Sequence, residues 1–365
     1  MVKVKTDMNI LLISYGDIDY DGRLRSLISV FEKLGKVFSY TRGKKPLNEN
    51  SIVCKESYST FIIHAIRFAK SIKDVNILVL DNRKATIPGL IIKRIINPDC
   101  VIQDCRELYL HNEVHHLAGK IGCFFEKSMA KKSDIVICAN EERAVIMRKE
   151  YGLQYLPVTY ENLRKLEYSS EAVVKQLSAK FASYIDDDEI RIISSSGCSV
   201  KRTNDVLVRN LNKVNRKCRL FLVGASEEND EQVIKTLAAK EINNTITIFG
   251  QLNQDELKYL ISQCHIGIVN YGQYDTNNRL CASGKLYEFL YEGKPVVTTT
   301  NPPLKRLCEK EKIGCADDLY YRGINEVLDH YDYFTNKVNA FANKYTIAEN
   351  DNHLLNDLLE RINKN

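Results

Sequence analysis

Lys285 and Glu288 stand three residues apart in CASGKLYEFLYEGKPVVTTTNPPL (281–304), directly after a small turn of Ala282, Ser283 and Gly284. A helix opening at that turn carries Lys285 in its first turn, where unpaired backbone N–H groups already attract anions. The three-residue spacing puts Glu288 on the same helical face. A carboxylate there repels phosphate but accepts two hydrogen bonds from a ribose diol. Cation and carboxylate one turn apart thus suit the two ends of a nucleoside diphosphate. The same spacing also fits an exposed ion pair, which contributes little to stability.

The elements that must position these residues follow from hydrophobic periodicity. In the N-terminal half, NILLIS (9–14), VNILVLD (75–81), VIQD (101–104) and DIVICAN (134–140) read as strands. Helix-like segments RLRSLISVFEKLG, IPGLIIKRII and EERAVIMRKEYG lie between or after them. A second series of strands comprises EIRIISSSG (189–197), CRLFLVGAS (218–226), TITIFG (245–250), HIGIVNYG (265–272) and KPVVTTT (294–300). Segments of period 3.6 follow these strands as well. Continuous rather than alternating apolar character marks strands covered on both faces, hence parallel sheets. The expected fold is α/β, with two Rossmann-like doubly wound domains facing across a cleft. The expected boundaries are 1–165 for an N-terminal acceptor domain, 166–188 for the connection and 189–340 for a C-terminal donor domain. Residues 341–365 are expected to form a C-terminal helix that packs back on the first domain.

A chain of 365 residues exceeds one ordinary core, which agrees with two domains. The opening apolar run is too short for a signal-peptide core, and no segment approaches the roughly 20 apolar residues of a membrane-spanning helix. A cytoplasmic protein is expected. Its 11 cysteines include no C-x-x-C pair and read as reduced, buried hydrophobes. Residues 1–165 carry 27 Lys and Arg against 19 Asp and Glu, and the remainder 25 against 28. The excess of cations thus belongs to the first half. There STFIIHAIRFAKSIK (59–73), GLIIKRIIN (89–97) and GKIGCFFEKSMAKK (119–132) combine apolar and basic residues. Such helices can lie on an anionic membrane surface, or simply turn an apolar face to their own sheet.

The segment 281–304 is similar to the signature of glycosyltransferase family 4 and related retaining GT-B enzymes. In these, Lys-x-x-Glu on a helix precedes Gly-x-Pro-Val-Val, here Lys285, Glu288 and GKPVV at 293–297. The family often carries an earlier Glu at the position of Leu280. The resemblance implies a bacterial glycosyltransferase of surface polysaccharide or glycolipid synthesis. It further implies retention at the anomeric carbon, with no divalent metal and no cofactor beyond the nucleotide-sugar co-substrate. Donor-binding roles fall on Gly197, Lys201, Arg202, Gln251, Leu252, Ser283, Gly284, Lys285 and Glu288. The family's usual Arg after the Gly is Cys198 here, so Arg202 takes the pyrophosphate role by position, with Lys201 as alternate. Catalytic roles are expected of Lys285, Arg202, Asp104 and Glu107. Gly22, Arg23 and His111 are expected to serve the mobile loop and the acceptor. ENLRKL (161–166) resembles the family's Asn-containing turn before the linker.

The expected partners are a nucleotide sugar, a glycan or polyprenyl- or other lipid-linked acceptor, and an anionic membrane surface at the inner face of the cell membrane. A sugar-nucleotide epimerase on the same fold and a non-catalytic two-lobed sugar-binding protein are the competing readings. A dinucleotide oxidoreductase would need G-x-G-x-x-G after a strand, which does not occur. Nucleic-acid binding is disfavoured, because the basic residues are interspersed with acidic ones. The adjacent His115 and His116 point to different sides of a helix and make a poor metal pair.

Overall fold

Strands covered on both faces need helices on both faces, and the chain supplies them between most successive strands. A computed structural model describes residues 8–185 and 188–364. Among these, thirteen strands form two wholly parallel sheets. The first holds β1 (Met8–Asp17), β2 (Gly35–Arg42), β3 (Ser51–Cys54), β4 (Val75–Asp81), β5 (Cys100–Cys105), β6 (Ile135–Cys138) and β7 (Val158–Thr159) in the order β3-β2-β1-β4-β5-β6-β7. The second holds β8 (Ile190–Ser194), β9 (Cys218–Val223), β10 (Thr245–Phe249), β11 (Ile266–Val269), β12 (Val296–Thr298) and β13 (Gly314–Ala316) in the order β10-β9-β8-β11-β12-β13. Both orders reverse direction beside their first strand, which makes the carboxyl ends of β1/β4 and β8/β11 the topological switch points. The fold is the expected pair of Rossmann-like α/β domains.

Residues 1–162, 275–277 and 347–365 belong to the first unit, and 163–274 with 278–346 to the second. The final helix, Ile347–Ile362, lies in the first unit. There Leu354 and Leu358 share a core with Leu24, Leu27 and Phe31 of helix Gly22–Glu32. The Tyr160 hydroxyl donates to Asp351 at 2.6 Å, which fixes the return. Helix Tyr331–Lys344 stays with the second unit through Val338 and Phe341. The stretch 166–188 holds a helix, Glu171–Phe181, which packs on helix Gln254–Gln263 of the second unit.

Strands β2, β3, β7 and β13 escape the periodicity reading for a common reason. They are short or interrupted by polar residues, as in GKVFSYTR and SIVC. Pairing to a neighbour, not composition, makes them strands. All eleven cysteines are free. Cys138 and Cys264 are buried, and burial pushes both thiols up to about 12.

At the carboxyl ends of β1, β4 and β5 the first unit buries an ionic cluster. Arg106 donates to both oxygens of Asp81, at 2.6 and 2.9 Å, and to Asp21. Arg23 donates to both oxygens of Asp104, at 2.9 and 3.2 Å. Burial raises the Asp81 carboxyl to about 6, against the pull of Arg106 and with a further push from Asp104. Removing one partner of such a cluster strands buried charge. Arg106→Ala should therefore cost about 3–5 kcal/mol in urea denaturation near neutral pH. The deficit should narrow on acidification, because the orphaned folded-state carboxyls then take up protons that the unfolded chain does not yet bind.

Candidate active site

The loop after β8 is bound at backbone level to the loop after β9. Gly197 has φ +64°, and its N–H donates to Val223 O at 2.9 Å. A Cβ on Gly197 would stand 2.5 Å from Ala225 O, so only glycine fits. Gly224, with φ +133°, closes the same approach from the other side, 3.1 Å from Gly197 N by its own Cβ direction. The side chain of Cys198 turns into the core and its N–H donates to Ser226 Oγ at 2.8 Å. The residue after Gly197 thus packs inward, and the nearest basic residues on this loop are Lys201 and Arg202.

A fully buried amide pair joins this loop to the one after β11. Asn204 Nδ2 donates to Gly197 O at 2.9 Å and to Ser196 Oγ at 3.0 Å. Its Oδ1 accepts from Asn270 Nδ2 at 2.7 Å, and Asn270 Oδ1 accepts from Ser196 Oγ at 2.8 Å. Three side chains, Ser196, Asn204 and Asn270, thus tie the loops together at the switch point between β8 and β11. Arg202 lies on its rim, with Cζ 3.8 Å from the Tyr271 ring centre and Nη1 3.5 Å from Asn270 O. Lys201 is exposed.

Helix Gly284–Tyr291 enters from the other side. Ser283 occupies its N-cap position but its hydroxyl makes no capping bond, and that oxygen is buried without a partner. Ser195 Oγ is buried and unpartnered as well. The ammonium of Lys285 donates to Ser195 O. Burial first, then Arg202 and Arg164, lower Lys285 to about 8 against the opposing pull of Glu288. Glu288 is buried, with its carboxyl raised by burial and pulled back by Arg164 and Lys285. Arg164 Nε donates to Glu288 Oε1 at 2.9 Å. The site therefore gathers two cations, two idle hydroxyls and helix N–H groups beside a buried carboxylate. Such a combination of charge and unfilled hydrogen-bonding groups can accept an anion next to a polar group.

Gln251 and Leu252 lie in the turn after β10, between Gly250, whose carbonyl accepts from Gly224 N–H, and the capping box of Asn253 with Glu256. They therefore stand at the same sheet edge as Gly197. Leu280 is buried and contributes apolar bulk where related signatures carry an acid. Arg164, Asn204, Asn270 and Tyr271 were not singled out by sequence. Only a strand-end Asn and a basic residue in ENLRKL hinted at them, and long-range folding decides their use.

The first-unit candidates divide differently. Asp104 has no accessible surface, and its two oxygens are taken by Arg23. Arg23 also donates to Tyr160 O and lies 4.6 Å from the Tyr160 ring centre. Both side chains serve the ionic cluster, so neither presents a free charge. Gly22 opens its helix behind the Asp21 cap. Glu107 and His111 are exposed, and His111 lines a groove of about 600 Å³ with Tyr109 and Phe124. His116 caps helix Leu117–Ala130 through Nδ1, 2.9 Å from Gly119 N.

Solved structures similar to this chain include Anabaena Alr3699/HepE in complex with UDP and glucose, at 14% identity and a TM-score of 0.68, covering 97% of this chain and 100% of the other. A glycosyltransferase from Rickettsia africae matches at 16% identity and 0.69, covering 98% of each chain. UDP-GlcNAc 2-epimerase from Neisseria meningitidis, bound to UDP-GlcNAc, matches at 14% and 0.59 over 98% of this chain and 100% of that one. The shared property is the fold. No protein-family model and no curated protein matches the sequence.

The depressed ammonium of Lys285 gives binding a pH signature. An anion bound beside it favours the protonated form, so affinity is full below about 8 and falls as pH rises through that value. Calorimetric titration with UDP should show weakening between about pH 7 and pH 9, with proton uptake in the same window. Lys285→Gln should bind weakly and without that pH dependence.

Proposed function

We propose that this chain transfers a sugar from a nucleoside-diphosphate sugar to a glycan or lipid-linked acceptor, with retention and without a divalent metal. The observation that carries the reading is the pairing of Lys285 and Arg202 at the β8/β11 switch point, one turn from the buried Glu288. Two structural neighbours were crystallised with UDP or UDP-GlcNAc, which supports a nucleotide sugar as the ligand.

Breaking the bond between the anomeric carbon and the diphosphate oxygen builds negative charge on the leaving group. Preorganised cations and N–H donors aimed at that charge are worth most where water is excluded. Lys285, Arg202 and the N–H groups at Ser283 and Gly284 occupy that role. Gly197 lets the backbone approach the phosphates closely, and Glu288 accepts from the ribose hydroxyls. Gln251 and Leu252 offer backbone groups to the base. Lys201 supplies long-range attraction from an exposed position. In the first unit, the exposed Glu107 and His111 are the groups available to an acceptor.

The likeness to a UDP-GlcNAc 2-epimerase supports a second reading on the same site. Donor incubated alone separates the two, since an epimerase isomerises it and a transferase leaves the sugar configuration unchanged. A thermal-shift screen with UDP, GDP, CDP and dTDP sugars identifies the donor, because a bound ligand raises the melting temperature. With that donor, Lys285→Ala should lower turnover by about 10²–10³ while the melting temperature of the unliganded protein is preserved. Turnover near that of the unmodified protein would refute the assignment.

A further inference from the structure

The three apolar-basic helices of the first unit lie side by side as one layer on one face of its sheet. Helix Tyr58–Ser71 packs on helix Thr86–Ile96, which packs on helix Leu117–Ala130. Phe61, Ala65, Ala69, Ile92 and Met129 turn inward to one core shared with β1 and β4. The outward side is not polar. Leu117, Ile121 and Phe124, spaced one turn apart, are 74%, 43% and 64% exposed. Ile91 and Ile95 are 40% and 43% exposed on the middle helix, and Ile63 is 51% exposed on the first. Phe124 also walls the groove shared with Tyr109 and Leu110, whose edge carries Lys127 and Lys131.

Cations predominate on this layer, although Glu56 pairs with His64 at 2.7 Å and Glu150 lines the groove beside Lys127. The helices carry Arg67, Lys70, Lys93, Arg94, Lys120 and Lys127. Their single carboxylate, Glu126, is buried against Arg83 Nε at 2.9 Å and Tyr151 Oη at 2.7 Å. The acidic residues Asp74 and Asp99 lie in the loops that precede β4 and β5. Exposed aliphatic and aromatic side chains rimmed by an excess of cations mark an interaction face. Self-association through it would set like charges against one another, which is costly. An anionic lipid surface satisfies both features, since headgroups attract the cations and the interface accepts the apolar side chains.

We propose that the outer face of these three helices docks on an anionic membrane, with Leu117, Ile121 and Phe124 inserting at the headgroup boundary. No helix among the described residues is long and apolar enough to cross a membrane, so the attachment is peripheral. The proposal goes beyond sugar transfer and does not require it.

Co-sedimentation of the whole chain with phosphatidylglycerol vesicles and with phosphatidylcholine vesicles tests it. Binding is expected to the first only, and to weaken as salt screens the headgroups. Leu117→Ser/Ile121→Ser/Phe124→Ser and, separately, Arg67→Glu/Arg94→Glu should each reduce partitioning on the order of tenfold. All five positions are exposed, so the melting temperature should hold. Absence of binding to phosphatidylglycerol at low salt, or triple-serine partitioning equal to that of the unmodified chain, would overturn the proposal. So would sedimentation velocity showing a dimer that the triple-serine variant dissociates, because the face would then join two copies.

Discussion

The second unit's site depends on one buried amide. Asn204 holds Gly197 and Ser196 on one side and Asn270 on the other, across the gap where strand order reverses. A buried polar group left unsatisfied costs about 1–3 kcal/mol, so this network tolerates one arrangement and few others. Its hydrogen bonds flank Ser195, which presents its carbonyl to Lys285, and Tyr271, which presents its ring to Arg202. Lys285 and Arg202 take their positions from those two groups.

The electrostatics of the site follow from that geometry. Lys285 is desolvated and faces Arg202, which makes its charged form costlier than that of an exposed lysine. Glu288 is buried with its carboxyl raised, and Arg164 partly compensates it. Both groups carry a burial cost in the fold as it stands, which marks this sheet edge as the candidate site. The unpartnered hydroxyls of Ser195 and Ser283 point to the same conclusion.

The first unit uses its charges in the opposite way. Arg23, Arg106, Asp21, Asp81 and Asp104 lie at the equivalent sheet edge but neutralise one another. A strand-end Asp after a parallel strand invites a catalytic reading, and Asp104 was expected to serve one. Both of its oxygens accept from Arg23, 81 residues away in the chain, and it has no accessible surface. What this unit offers to solvent lies instead on its helical layer, where apolar and basic residues remain uncovered.

The sequence by itself determined the alternation of apolar runs and amphipathic segments, and with it two parallel sheets. It also determined the turn and helix around Lys285 and Glu288, because helix spacing and a small-residue turn are local properties. Strands such as β2 and β13 were illegible, since pairing rather than composition defines them. Only the tertiary structure decided that Cys198 and Leu280 face the core, that Arg164 reaches Glu288, and that Asn204 meets Asn270. These are contacts between residues far apart in the chain, and periodicity carries no information about them. The same distinction separates Lys285 from Asp104. Both are charged residues at the edge of a sheet, but the partner that folding delivers to each leaves one available and the other fully engaged.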